Sequence, residues 1–135
     1  MARRKKVKVT PPYRSKFEET VAGLLTELKI KFRYEAKQDV MTYTKPETHH
    51  KYTPDFVLPN GIVVETKGIL DLETRKKMLL VKEQNPDKDV RFVFMRAKNP
   101  IRKRSKTTYA MWAEKHGFLW ADGKIPQAWI DEKPK

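Results

Sequence analysis

Three side chains that could carry out phosphate chemistry lie close together in the middle of the chain. Asp55 follows Pro54, and Glu65 and Lys67 lie on either side of Thr66. Magnesium prefers oxygen ligands and keeps several waters, so Asp55 and Glu65 could hold it while water and a phosphate complete its shell. The backbone carbonyl of Thr66 could add a ligand. The Lys67 ammonium could orient the attacking water and stabilise charge that develops in the transition state.

These side chains converge only if a β-hairpin forms around them. The runs 52–58 and 62–67 are β-prone, and Pro59-Asn60-Gly61 joins them. Pro59 suits the first central position of a type I turn, and Gly61 suits a left-handed residue in a bulge. The sequence therefore predicts a hairpin with a three-residue loop.

The loop length fixes the register of this hairpin. Leu58 then pairs with Ile62, and counting outward places Asp55 opposite Glu65. Lys67 follows two residues further along the same face of the strand. A shift by one residue would turn Asp55 to the other face, so the predicted convergence depends on the turn.

Each of these residues also has a purely structural interpretation. Asp55 would then be an ordinary strand-entry residue, and Glu65 and Lys67 would be exposed strand charges that form a weak ion pair. Taken together, Pro-Asp, a hairpin and Glu-Thr-Lys form the pattern of the PD-(D/E)XK nuclease superfamily. This pattern is short and also arises by chance.

The composition fits one basic domain that binds a polyanion. The 135 residues include 30 Lys and Arg against 17 Asp and Glu, a formal net charge of +13, and 39% hydrophobic residues, enough for one core. Such a charge favours nucleic acid as the partner. The chain has no cysteine, no long apolar run and no secretory signal, so we expect an intracellular protein without a membrane partner or thiolate chemistry.

The N-terminal part predicts an arm, a helix and two strands. Residues 1–12 form a mobile basic arm, 13–130 a single domain and 131–135 a frayed tail. Ser15 opens a helix that ends near Lys31, and Ser15 with Glu18 reads as a capping box. The expected strands cover 32–35 and 40–44.

The C-terminal part alternates helices and strands, in an order that favours an α/β fold. His116 is expected at a helix end, where the helix dipole favours it, and Gly117 closes that helix. Ile125, Trp129 and Ile130 are expected to pack back on the body. The expected elements are a helix at 71–84, a strand at 90–95, a basic loop at 96–106, a helix at 107–116 and a short strand at 118–121.

Longer segments of the chain resemble the phage endonuclease I family of Holliday-junction resolvases. The similar segments are 52–56, 58–62, 64–68 and 114–117, and the similarity extends from Arg14-Ser15 to Trp129-Ile130. The resemblance implies a restriction-endonuclease-like α/β fold, with a mixed sheet flanked by helices. It also implies a homodimer that cuts four-way junctions and other branched DNA by magnesium-dependent phosphodiester hydrolysis. We expect two Mg²⁺ ions per active site, with Mn²⁺ as a substitute, and action in the host cytoplasm if a phage encodes the chain.

The resemblance assigns roles residue by residue. The metal ligands of the family fall on Asp55 and Glu65, its catalytic lysine on Lys67, and a further carboxylate on Glu18. Glu18 also has a structural explanation in the capping box. The residues before it, Lys16-Phe17, are larger than those of the family, which weakens the match there.

The family also implies exchange of N-terminal elements between subunits. Residues 13–40 would be exchanged and 40–48 would form the bridge. Glu18 of one chain would then complete the site of the other, giving two composite sites in one dimer.

Basic residues outside the site are expected to contact phosphates and to read the shape of the junction rather than its bases. The alternative for each is ordinary solvated charge. His49 and His50, expected in a loop beside the site, are candidates for a DNA or water contact rather than metal ligands. The candidate DNA-binding residues are Arg3, Arg4, Lys5, Lys6, Arg14, Arg75, Lys76, Arg102, Lys103, Arg104 and Lys106.

Two rival functions stay open on the sequence. A non-catalytic basic module that binds or packages DNA would explain the charge, but opposed Asp55 and Glu65 would weaken its affinity for phosphate. A restriction or repair nuclease of the same superfamily would share the site, because a fold does not fix a substrate.

Overall fold

The computed structural model describes residues 11–45 and 48–135. The candidate DNA-binding residues Arg3, Arg4, Lys5 and Lys6 lie outside these ranges. The helices are α1 Lys16–Glu27, α2 Leu72–Gln84, α3 Tyr109–Lys115 and α4 Gln127–Asp131, with a short 3-10 helix at Lys37–Asp39. The strands are β1 Arg33–Tyr34, β2 Met41–Lys45, β3 Thr48–Tyr52, β4 Phe56–Val57, β5 Val63–Lys67, β6 Val90–Phe94 and β7 Trp120–Asp122.

A five-stranded mixed sheet forms the centre of the molecule. Its strand order is β1-β4-β5-β6-β7, and β2 and β3 make a separate two-stranded sheet. The first three strands are antiparallel neighbours, whereas β5, β6 and β7 are parallel. The parallel strands need crossover connections, which α2 and α3 provide. The predicted α/β class, with a mixed sheet flanked by helices, is confirmed.

Helices cover both faces of the sheet because neighbouring residues along each central strand point to opposite sides. On one face, Val64 belongs to a cluster with Leu25 of α1 and Trp129 of α4. On the other, Val63 belongs to a cluster with Met78 of α2 and Trp112 of α3. The prediction that residues 125–130 pack back on the body is confirmed, since Ile125 and Trp129 are buried there and Ile130 packs against the same cluster.

Helix α1 begins as predicted but ends about one turn earlier than Lys31. The Ser15 hydroxyl accepts a hydrogen bond from the Glu18 backbone N–H at 3.0 Å, which confirms the N-cap. The helix stops because Lys29 takes a left-handed conformation (φ 57°) and the Ile30 N–H turns back to the carbonyl of Leu25 at 2.9 Å.

The predicted strand 52–58 is interrupted. β3 ends at Tyr52, and the chain bends at Asp55 before β4 begins at Phe56. His49 and His50 lie within β3 and not in a loop, which corrects that expectation, because the segment before Asp55 folds back on β2 as a hairpin.

The end of the chain, expected to be frayed, is anchored through Glu132. Its carboxylate pairs with the buried guanidinium of Arg91, which also binds Asp89. The Asn60 side-chain amide donates to the Glu132 carbonyl at 2.9 Å and to the Trp129 carbonyl at 2.7 Å. Among the described residues, no helix has the length and apolar character needed to cross a membrane.

Candidate active site

The hairpin between β4 and β5 has the register that its turn predicts. Val57 faces Val63 and the Leu58 N–H donates to the Ile62 carbonyl at 2.9 Å, which leaves a three-residue loop. Gly61 in that loop is left-handed, with φ 89°. The prediction of this loop and register is confirmed. Continuing the register beyond Phe56 and Val64 brings Asp55 opposite Glu65.

Thr66 holds the carboxylate of Asp55 in place. Oδ2 of Asp55 accepts a hydrogen bond from the Thr66 backbone N–H at 2.9 Å and another from the Thr66 hydroxyl at 2.8 Å. Asp55 is half-buried, whereas Thr66 is buried. Two donors on one oxygen fix the side chain and leave its other oxygen available for a cation. The role of the Thr66 hydroxyl was not predicted, because only its carbonyl fitted the expected ligand set.

Glu65 is the most deeply buried carboxylate of the site, with 3% of its surface exposed. Burial, with the negative charge of Asp55 beside it, raises the pKa of Glu65 well above its ordinary value, and the positive charge of Lys67 opposes this shift. Burial and the charge of Glu65 in turn raise the pKa of the Tyr52 hydroxyl well above its ordinary value. The interior of the site therefore disfavours a negative charge on Glu65 unless a cation compensates it.

Lys67 is the last residue of β5 and is half-buried. It lies two residues beyond Glu65 on the same face of the strand, as predicted. Its backbone carbonyl accepts the Met95 N–H at 3.0 Å, which continues the pairing of β5 with β6 past the strand end. The strand thus fixes the backbone of Lys67. The Lys67 ammonium lies close enough to Glu65 for its positive charge to lower the pKa of that carboxyl group.

Glu18, in the first turn of α1, is oriented by two hydroxyl groups. Tyr34 donates to its Oε2 at 2.6 Å, and Ser15 donates to its Oε1 at 3.1 Å. The expected capping box is therefore only half formed, since the carboxylate accepts the serine hydroxyl rather than the serine backbone N–H. Burial and the bond to Glu18 raise the pKa of Tyr34 above its ordinary value. Glu18 keeps only 9% of its surface exposed.

The structure brings Glu18 to Asp55, and it adds a carboxylate that the sequence reasoning missed. Oxygen atoms of Glu18, Glu35 and Asp55 all lie within 4.8 Å of one another. Glu35 directly follows β1, whose strand was predicted at 32–35. Nothing in the sequence indicated that this strand pairs beside β4, so no signal pointed to Glu35.

The residues of the site fit a hard divalent cation. Every candidate ligand is an oxygen atom, three carboxylates meet at buried or half-buried positions, and the buried Glu65 adds a fourth carboxylate that interacts with Asp55. Mg²⁺ and Mn²⁺ prefer such oxygen donors, and a cation would offset the repulsion between these groups. The donor set contains no histidine or cysteine, which zinc sites favour.

Among the described residues, the candidate DNA-binding cations other than Arg14 show no ion pair with the carboxylate cluster. Lys76 is exposed near the start of α2, and Nε of the neighbouring Arg75 is buried without a hydrogen-bond partner among the described residues. Arg14 is exposed and pairs with Glu35. Four further cations, all exposed, lie in the loop between β6 and α3: Arg102, Lys103, Arg104 and Lys106.

The two histidines of β3 face the β2 strand. Nδ1 of His49 lies 3.2 Å from the Thr44 hydroxyl, and the His50 ring stacks on Tyr43 with their centroids 5.4 Å apart. Neither histidine belongs to the carboxylate cluster. His116, as predicted, ends a helix, where it caps α3 before the left-handed Gly117.

Comparison with known proteins identifies a family that matches the whole chain and relatives that match most of it. The family described as Phage endonuclease I matches residues 1–135. Endodeoxyribonuclease 1 of Enterobacteria phage T3 is 47% identical over 123 residues, which cover 91% of this chain and 80% of the relative. Endonuclease I of Escherichia phage T7 is 46% identical over 123 residues, which cover 91% of this chain and 81% of the relative.

Proposed function

The chain belongs to the phage endonuclease I family, and from that premise we propose that it is a DNA endonuclease that resolves four-way junctions and other branched DNA. The observation that carries this proposal is the hairpin register that brings Asp55 opposite Glu65, with Lys67 on the same strand as Glu65. A basic chain that only bound DNA would lose affinity by presenting these carboxylates to phosphate.

In the proposed reaction, the residues of the site orient the groups that take part in phosphodiester hydrolysis. Thr66 fixes Asp55, and Tyr34 with Ser15 fixes Glu18, so both carboxylates present a defined face. Lys67 places a positive charge near the scissile phosphate, where it stabilises the charge that develops in the transition state and helps to orient the attacking water.

Asp55 and Glu65 are the proposed metal ligands, with the carbonyl of Thr66, and Glu18 faces Asp55 from α1. When bound, Mg²⁺ acts as a Lewis acid toward phosphate and makes water a stronger nucleophile. We propose two ions per site, with Mn²⁺ able to replace Mg²⁺. This number is supported by the position of Asp55, which interacts with Glu65 and also lies in the cluster with Glu18, to which Glu65 does not belong.

Affinity for DNA would come from cations that are not part of the proposed metal site. Lys76 of α2, the arm residues Arg3, Arg4, Lys5 and Lys6, and the loop at 102–106 are proposed to bind phosphates. Such contacts carry no base information, which suits an enzyme that recognises the shape of a junction. His49 and His50 stay candidates for a DNA or water contact.

We further propose a homodimer in which residues 13–40 are exchanged and 40–48 form the bridge. Within one chain, α1 packs on the sheet through Val21, Ala22 and Leu25. An identical second chain could supply the same contacts if the β2–β3 hairpin opened, because exchange replaces intrachain contacts with equivalent ones. Each active site would then combine Glu18 of one subunit with Asp55 of its partner. Because both relatives come from phages, we propose that the enzyme acts in the host cytoplasm.

The function is tested by cutting a synthetic four-way junction beside a linear duplex of matching sequence. The reactions contain Mg²⁺ or EDTA and use wild type, Lys67→Ala and, as a matched control, Lys124→Ala, which removes an exposed lysine from the turn after β7. We expect magnesium-dependent cutting of the junction that Lys67→Ala reduces at least a hundredfold and Lys124→Ala leaves unchanged.

The other outcomes separate the rival functions. Equal cutting of both substrates would indicate a less selective nuclease of the restriction or repair type. Tight binding without cutting would support an architectural DNA-binding protein and refute the proposed mechanism.

Exchange between subunits is tested by complementation. Glu18→Ala and Asp55→Ala chains, each inactive alone, are unfolded together and refolded. If exchange occurs, mixed dimers contain one intact composite site and regain cutting of a single strand. Activity that stays at the level of the separate variants would argue that each site is built within one chain.

A further inference from the structure

Glu35 lies at an unusual turn of the backbone that aims it at the active site. Its φ is +44°, a left-handed conformation that residues other than glycine adopt rarely. Its backbone N–H donates to the carbonyl of Asp55 at 3.2 Å, one step beyond the pairing of Tyr34 with Phe56. The strained turn and the pairing with β4 together bring the Glu35 side chain alongside that of Asp55.

The carboxylate of Glu35 is within reach of a shared cation. Its oxygen lies within 4.8 Å of carboxylate oxygens from both Glu18 and Asp55. In an octahedral Mg²⁺ shell with bonds of about 2.1 Å, adjacent oxygen ligands are about 3 Å apart and opposite ones about 4 Å apart. Three oxygens that already lie within 4.8 Å of one another would therefore need an inward movement to share one ion.

The positively charged side chain of Arg14 lies beside this cluster and pairs with Glu35. Its Nε lies 3.0 Å from one oxygen of Glu35 and 3.1 Å from the other. The Arg14 side chain is 77% exposed, whereas that of Glu35 is 23% exposed. An ion pair with one partner in open solvent contributes little to stability and is easily replaced. The arginine can thus leave Glu35 when a divalent ion or a DNA phosphate competes for it.

We propose that Glu35 is a further metal ligand of this enzyme, which binds the cation held between Glu18 and Asp55, and that Arg14 balances its charge when the cation is absent. This proposal rests on the proposed function, since it adds a residue to the metal site of that reaction. Glu65 would serve the other ion, on the buried side of Asp55. Release of Arg14 on metal binding would also free a positive charge for DNA.

The test counts bound Mn²⁺ on the full-length protein by electron paramagnetic resonance of the free ion during a titration. Four substitutions are compared with wild type: Glu35→Gln, Glu65→Gln, Arg14→Gln and, as a matched control, Glu27→Gln on the exposed side of α1. Thermal unfolding of each metal-free variant is measured alongside, so that loss of the fold is recognised. Glu35→Asp, which keeps the charge on a shorter side chain, provides a second variant at the same position.

We expect Glu35→Gln to weaken one class of Mn²⁺ site at least tenfold and to leave the other class intact. Glu65→Gln should weaken Mn²⁺ binding at the second class of site, and Glu27→Gln should weaken binding at neither class. The Mn²⁺ affinity of Glu35→Asp should lie between those of Glu35→Gln and wild type. Arg14→Gln should bind Mn²⁺ as tightly as wild type or more tightly, because it removes the competing cation.

Two results would overturn the proposal in different ways. If Glu35→Gln and Arg14→Gln bind Mn²⁺ with equal affinity and with the same number of ions as wild type, Glu35 serves only the ion pair with Arg14. The proposed function would still stand in that case. If wild type itself binds no Mn²⁺, and Glu65→Gln changes nothing, the metal site of the proposed function fails as well.

Discussion

One oxygen of Asp55 accepts two hydrogen bonds from Thr66, from the backbone N–H at 2.9 Å and from the hydroxyl at 2.8 Å. The two residues are partners because Asp55 sits at a bend just before β4, while Thr66 lies on the adjacent strand β5. The Asp55 carboxylate is therefore oriented by Thr66, the middle residue of the Glu-Thr-Lys segment. Thr66 lies in sequence between Glu65 and Lys67, which are both proposed to act in the reaction, and its own role is to position the side chain of Asp55.

Replacing this threonine by valine should loosen the site without changing its shape. Thr66→Val removes the hydroxyl donor and keeps the backbone N–H, so Asp55 retains one of the two bonds. We expect an approximately tenfold loss in metal affinity, as is typical when a group that orients a ligand is removed. The loss in the free energy of unfolding should be about 1–2 kcal/mol, because the variant loses one hydrogen bond to a half-buried carboxyl group. Calorimetric titration with Mn²⁺ and urea unfolding measure the two effects.

Thr66→Ser is the control, since it preserves the hydroxyl and removes only a methyl group. Equal metal affinity in the valine and serine variants would show that the hydroxyl does not orient Asp55.

The sequence was most informative where local chemistry decides the structure. Pro59 and Gly61 define the loop, the loop defines the register, and the register brings Asp55 opposite Glu65. The Ser15 cap and the left-handed Gly117 were predictable for the same reason, because each depends on residues within a few positions.

The parts that could not be predicted depend on contacts distant in sequence. Glu35 approaches Asp55 because β1 pairs with β4, and no local pattern specifies which strand β1 joins. The break in the strand 52–58 follows from the folding of β3 onto β2. The anchoring of Glu132 by Arg91 likewise joins β6 to the chain end. A charged residue near a terminus looks the same in a sequence whether it is solvated or paired.

The buried position of Glu65 predicts a stability that depends on pH in the metal-free protein. Because its pKa is raised in the folded state, folding favours the protonated form. The folded state then binds more protons than the unfolded state, so this residue's effect on stability becomes unfavourable as pH rises above the ordinary value of 4.5. Glu65→Gln should therefore unfold a few degrees higher than wild type at pH 7 in EDTA, and this difference should shrink toward pH 5.

Thermal unfolding at several pH values, with EDTA and with Mg²⁺, measures this dependence. Added Mg²⁺ should stabilise wild type more than Glu65→Gln, since a cation replaces the proton as the partner of the carboxylate. A destabilised Glu65→Gln protein at pH 7 without metal would show that the buried charge is well compensated in wild type.

The hydroxyl of Tyr34 should matter to catalysis although it lies on β1, which is not part of the β4–β5 hairpin but pairs with β4. Tyr34→Phe removes the 2.6 Å bond to Glu18 and keeps the ring that packs near Phe56. Glu18 would then be less well oriented, and we expect the rate of junction cutting at saturating Mg²⁺ to fall roughly tenfold, with little change in DNA binding. Single-turnover cleavage and a binding assay in EDTA separate the two effects. Tyr13→Phe, on the ring that packs edge-on against Tyr34 at 4.6 Å, is the control; an equal loss there would implicate packing rather than orientation.

The loop between β6 and α3 should contact DNA phosphates, and the salt dependence of DNA affinity measures the number of such contacts. Arg102 is exposed in that loop, among other exposed cations. If it neutralises one phosphate, Arg102→Gln should lower the slope of log affinity against log salt concentration by about 1, with a similar effect on junction and duplex. Binding is measured in the Lys67→Ala background so that cutting is strongly reduced, and Lys124→Gln provides an exposed lysine as the control. An unchanged slope in Arg102→Gln, with the same affinity as the control, would mean that this arginine is solvated surface charge.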